Sequence, residues 1–126
     1  MSAAGQYLLL FYRPEESWDE LPEEDRKAIV GEYFALVEDL RVKGCYVTGA
    51  PLQSVTTATT VRVRDDEVVM TDGPFAETKE QLGGYFLIEA ESLEEASAVA
   101  ARVPAARFGS VEVRPVVPAR VAVEAG

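Results

Sequence analysis

The sequence has no histidine. That absence removes the commonest general base near neutral pH and the commonest zinc ligand. It also excludes Ser-His-Asp and Cys-His nucleophile activation within one chain type. Cysteine occurs once, at Cys45, so no intrachain disulfide forms and a reducing, cytoplasmic setting is expected. Between Gly44 and Tyr46, Cys45 reads as a small buried apolar residue rather than a nucleophile. Positive charge is scarce: 12 Lys and Arg stand against 22 Asp and Glu, a net charge of -10. Nucleic-acid binders draw much of their affinity from basic side chains set against phosphates, so this balance argues against DNA or RNA as a direct ligand. It argues equally against an anionic membrane surface. Long apolar runs are missing too. The opening "MSAAGQYLLLFYRPEE" has a short one with no basic region before it, too short to span a bilayer and without a signal-peptide layout. No cofactor is expected, and no metal site: Asp65-Asp66-Glu67 puts three carboxylates on one tight turn, but the spacing matches no calcium loop.

What is present suits one soluble α+β domain spanning residues 1–126, with 48% hydrophobic and 27% charged residues. Gln6 to Tyr12 reads as a strand apolar on both faces, with Tyr7, Leu9 and Phe11 on one and Leu8 and Leu10 on the other. An acidic loop carrying the single tryptophan, Trp18, follows it. Pro22 to Lys43 reads as a helix. Pro22 suits its first turn, Glu23, Glu24 and Asp25 suit the positive end of its dipole, and Ile29, Tyr33, Leu36, Val37 and Leu40 form one stripe. Cys45 to Gly49 is a short second strand, ended by Pro51. Thr57 to Arg64 and Glu67 to Thr71 form a hairpin about Asp65-Asp66. Gly83 to Ala90 is again apolar on both sides. Ser92-Leu93-Glu94-Glu95 is a capping box opening a second helix, with Leu93, Ala96, Val99, Ala100 and Val103 as its stripe and Pro104 as its end. Ser110 to Val117 is the last strand, and the tail after Pro118 reads as either a mobile end or a docking segment.

Strand, helix, strand, hairpin, strand, helix, strand is a ferredoxin-like plan with an added β-hairpin. Two helices cover one sheet face only. The strands from Gln6 and Gly83 are apolar on both, so a second copy is expected to cover the other, giving a homodimer with facing sheets.

The stretch "TDGPFAETKEQLGGYF" concentrates turn-prone and charged residues before a strand. Asp72 has two readings. As a turn residue its carboxylate accepts from a backbone N–H beyond Pro74, Gly73 supplies a permissive dihedral, Pro74 fixes the next, and Phe75 anchors the loop in the core. As a site residue it is a general base or ligand acceptor at a cavity mouth. Lys79 reads as part of a solvated charged run, or as a partner holding Asp72 ionised or binding an anion. Gly83-Gly84 reads as a β-bulge or as a point of close backbone approach. Arg62, Arg64 and Arg114 alternate with valines and are expected to share a non-core face. There they either grip a carboxylate or phosphate or pair with Glu67 and Glu112.

"YLLLFY", "GAPLQ", "TTVRVRDDEVVMTDGPFAETKEQLGGYFLIEAESLEEA" and "GSVEVRPV" together resemble the YCII-related proteins, in the branch named for its Asp-Gly-Pro-Phe motif, over about Tyr7 to Val116. The resemblance implies a dimeric α/β-barrel built from ferredoxin-like halves. It implies frequent encoding beside extracytoplasmic-function sigma factors, and relatives that use a His-Asp pair. Only the Asp of that pair, at Asp72, has a counterpart here. Three functions follow as expectations: a small-molecule-binding barrel with Asp72, Arg62, Lys79, Tyr85 and Arg114 around a small anionic ligand; a non-enzymatic accessory protein linked to a sigma factor; and a His-free acid-base enzyme of the lactone-isomerase type using Asp72 or Tyr85.

Overall fold

Alternation along the first strand decides which way the sheet faces. In β1 (Gly5–Pro14), Tyr7, Leu9 and Phe11 are buried, while Leu8, Leu10 and Tyr12 are only partly so. The computed structural model describes residues 4–118, so the tail after Pro118 lies outside the described residues. The remaining elements are α1 (Glu23–Val42), β2 (Tyr46–Pro51), β3 (Thr59–Arg64), β4 (Glu67–Asp72), β5 (Glu80–Ala90), α2 (Leu93–Arg102), the single-turn α3 (Ala105–Phe108) and β6 (Ser110–Pro115).

The main sheet has the order β2-β5-β1-β6 with every neighbouring pair antiparallel. Two βαβ units are interleaved, and the fold is α+β in the ferredoxin-like plan expected from the sequence. The helices bury the Tyr7–Leu9–Phe11 face together with Phe86 and Ile88 of β5. On the reverse face Leu8 lies beside Leu87 and Arg114, and Leu10 beside Tyr85 and Glu112. In β5, Phe11 faces Gly84 and Tyr12 faces Leu82, which leaves Gly83 unpaired in a bulge.

In α1, Ile29, Leu36 and Leu40 are buried, with Tyr33 and Val37 packed at the core's margin, so the expected stripe is the observed one. Pro22 stands at the N-cap, where the missing N–H costs nothing. In α2 the Ser92 hydroxyl accepts from the Glu95 N–H at 3.1 Å, and the Glu95 carboxylate accepts from the Glu91 N–H at 3.1 Å. Ala96, Ala100 and Val103 are buried, whereas Leu93, expected on the same stripe, is exposed in the first turn. The turn after Pro104 forms α3, which no periodicity announced; Arg107 ties it to Glu32 of α1 at 2.6 Å.

The hairpin forms as expected, but it stands as a separate two-stranded ribbon. Asp65 and Asp66 have φ of 52° and 64°, the paired positive values of a type I′ turn. This corrects one expectation. Arg62 and Arg64 belong to the ribbon, whereas Arg114 lies in the main sheet, so the three share no common face. No helix among the described residues is long and apolar enough to cross a membrane.

Candidate functional site: a ring-lined cavity beneath the first helix

Flanking its core stripe and sharing Val37 with it, α1 carries a second row: Val30, Phe34, Val37 and Arg41, at spacings of four, three and four. That spacing puts the row on one flank of the helix. Opposite it lie β2 with its exit segment as far as Ser54, and the start of β5. Between them opens a cavity of about 670 Å³, closed at one end by the segment from Arg13 to Asp19. This volume is in the range of small-molecule sites.

Aromatic rings line much of it. Phe86 meets Phe11 (4.9 Å between ring centres, 82°), Tyr46 (5.6 Å, 81°) and Tyr33 (6.3 Å, 89°), all edge to face. Phe34 stands at the mouth, 72% exposed. The rim is tied down by Glu15, whose Oε1 accepts from the Ser54 hydroxyl and from the Val55 N–H at 3.1 Å. Leu52 N–H donates to the Gly83 carbonyl at 2.9 Å, holding the β2 exit against β5.

Two guanidiniums reach the cavity. Arg13 lies over the Trp18 ring at 5.0 Å, and Arg41 over the Tyr46 ring at 5.3 Å. Among the described residues neither forms an ion pair. Arg13 crosses the bulge, where a Cβ on Gly83 would stand 3.3 Å from its Nε; the missing side chain leaves that path open. Burial pushes the Tyr33 phenol up from its ordinary value. The backbone of Ala105 and the positive charges of Arg13 and Arg107 oppose that shift. The hydroxyl therefore keeps its proton at neutral pH. Asp19 and Glu38 are exposed at the rim. The arrangement can hold a mostly apolar molecule against rings and fix one polar end with a guanidinium or phenol. Among the described residues no cluster of three or more His, Cys, Asp or Glu side chains is placed to hold a metal ion.

The residues singled out from the sequence lie elsewhere. Asp72 is exposed at the end of β4, paired in register with Thr59. The turn after it is held by Gly73, whose φ is +97°, whose N–H donates to Ala58 O at 2.7 Å and whose carbonyl accepts from the Thr60 hydroxyl at 2.8 Å. These bonds pass through Gly73 rather than through the Asp72 carboxylate. Phe75, expected to anchor the loop in the core, is 81% exposed, because the loop leaves the free ribbon and no core lies beneath it. Lys79 is exposed and forms no ion pair with Asp72. Arg62 faces solvent on the ribbon, opposite Val69. Tyr85 is half-buried on the reverse face of the main sheet, and Arg114 on that face pairs with Glu112. None of the five lines the cavity.

The cavity residues left faint marks in the sequence. Val30 and Phe34 are apolar at a spacing of four, yet fall off the Ile29–Leu36–Leu40 stripe. The single Trp follows an Arg by five positions in an acidic loop.

Fold and cavity define a class: a ferredoxin-like α+β domain with a ring-lined, ligand-sized pocket under its first helix and no histidine to serve it. The sequence matches the YCII-related domain over residues 6–120, and the chain belongs to that family. It is also similar to an uncharacterized protein of Rhizobium meliloti (strain 1021), 36% identical over 111 residues that cover 86% of this chain and 90% of that protein.

Proposed function

We propose that the protein is a small-molecule-binding member of the YCII-related family, with its ligand held between α1 and the sheet. Two such chains work as a homodimer through their reverse sheet faces. The cavity of about 670 Å³ walled by Phe11, Tyr33, Tyr46 and Phe86 carries the binding reading. Its support is chemical: rings and aliphatic side chains for apolar contact, and a few polar groups for orientation. In the facing-sheet arrangement Tyr85 and Arg114 meet the partner's sheet rather than a ligand.

Trp18 lines the cavity and is the only tryptophan, so its emission reports occupancy. A panel of ring-containing metabolites titrated into the protein is expected to yield a compound that changes this emission and raises the melting temperature. At a hundred times its Kd such a ligand stabilises the fold by about 2.7 kcal/mol. The double variant Val30→Phe, Val37→Phe puts two more rings into the space and is expected to stay folded and lose the response. A panel with no responder, or a response untouched by filling the cavity, defeats the binding reading.

A further inference from the structure

We infer that Arg13 is the anchoring group of this cavity and that the ligand is an aromatic monocarboxylate. The inference rests on the binding reading above and adds the ligand's class. Arg13 is only partly exposed, at the end of β1. The chain holds 22 acidic residues, yet no carboxylate among the described residues lies within ion-pair distance of this guanidinium. Glu15, two residues on, spends its Oε1 on Ser54 and Val55. A cation so placed in an acidic protein has its fork free for an incoming anion.

The setting selects which anion. Trp18 lies against the guanidinium, its ring centre 5.0 Å from Cζ, and leaves the N–H groups without a carboxylate partner among the described residues. A planar fork of that kind matches a planar carboxylate through two parallel hydrogen bonds. Gly83 clears the path for the side chain, and the Tyr33 hydroxyl lies near enough to Arg13 to feel its charge. Past this end the wall combines rings with aliphatic side chains. Phe11 and Tyr46 each meet Phe86 edge to face, and an aromatic ligand extends that geometry where an aliphatic chain does not. The second unpaired guanidinium, Arg41, is exposed and stacks on Tyr46. Its charge stays solvated at the mouth, where it attracts the anion more than it fixes it.

The test uses naphthoate and its neutral counterpart naphthylmethanol, measured by calorimetric titration on wild type, Arg13→Gln and Arg41→Gln. Wild type is expected to bind the acid tighter than the alcohol by about tenfold or more, as for a charge-assisted hydrogen bond. Arg13→Gln is expected to bind the two probes alike, and Arg41→Gln to keep the preference. Equal binding of both probes by wild type overturns the carboxylate inference and leaves the cavity a binding site. Loss of the preference in Arg41→Gln but not in Arg13→Gln overturns the choice of anchor. Binding of neither probe, with no responder in the wider panel, defeats the cavity reading and the inference together. Should Arg13→Gln fail to fold, Arg13→Lys, which keeps the charge and lacks the planar fork, takes its place and is expected to lose most of the preference; a preference kept in full there overturns the choice of anchor.

Discussion

Asp39 stands between Lys43 Nζ at 3.1 Å and Arg102 Nη1 at 2.8 Å, so one carboxylate of α1 holds both its own last turn and α2. The hydrogen bond from Arg102, then that from Lys43, lowers its pKa below the usual carboxylate value. The sign follows from linkage. A carboxylate whose folded pKa is depressed contributes stability above its unfolded pKa and loses it as pH falls through the folded one. The site is open to solvent, and salt weakens such contacts. Asp39→Asn is therefore expected to melt below wild type at neutral pH. The gap should close as pH is taken down through and below the ordinary carboxylate range, and a gap that holds constant into acid refutes the assignment. At this scale the sequence draws attention to Asp72 rather than to the cavity. Charge and turn residues crowd around Asp72, and crowding of that kind marks a loop whether or not a ligand visits it. Arg13 and Trp18 gave no such density. Their pairing depends on the 3-10 turn over Glu15–Ser17, which brings residues five apart face to face.

Elements were legible wherever a period ran long enough to be counted. β1, β5, α1 and α2 follow from alternation or from a three-to-four spacing, and the capping box at Ser92 was readable as four letters. Its value is open to a direct check. Ser92→Ala leaves the Glu95 N–H without its acceptor and is expected to lower stability by about 1 kcal/mol, read as a shift in denaturant midpoint. Ser97→Ala, off the buried stripe of the same helix, is expected to change little; equal losses at both positions would remove the cap from the explanation. α3 escaped because four residues carry no period. The ribbon of β3 and β4 was legible as a hairpin from Asp65-Asp66. Its separation from the sheet was not, since alternation says which residues share a face and nothing about what the face meets. The cavity was hidden for the same reason. Its walls come from α1, β2, β5 and the turn after β1, and only the chain's path through space brings Phe34 opposite Leu52.

For the molecule as a whole, the two faces of the sheet differ in what covers them. Its helix-covered face holds Tyr7, Leu9, Phe11, Phe86 and Ile88. The reverse face holds Leu8, Leu10, Tyr12, Tyr85 and Leu87, all still partly open to solvent. Apolar rows of that kind are rare on the surface of a monomer. Apposing two copies buries them symmetrically, with each Leu10 row meeting its counterpart. A stable interface needs about 1,200–2,000 Å² of total buried surface, which a four-stranded face is large enough to supply. The proposed dimer is expected in size-exclusion chromatography with light scattering at micromolar concentration. Leu10→Glu places an unpaired charge in the apolar row, beside Glu112 on the neighbouring strand, and is expected to give a folded monomer. Net charge works in the opposite direction: each copy carries -10, and the two repel. Added salt screens that repulsion and leaves apolar burial intact, so the dimer should tighten as ionic strength rises. A dimer held by the Arg114–Glu112 margin would instead loosen with salt, and a wild type that stays monomeric at every ionic strength would remove the facing-sheet arrangement altogether.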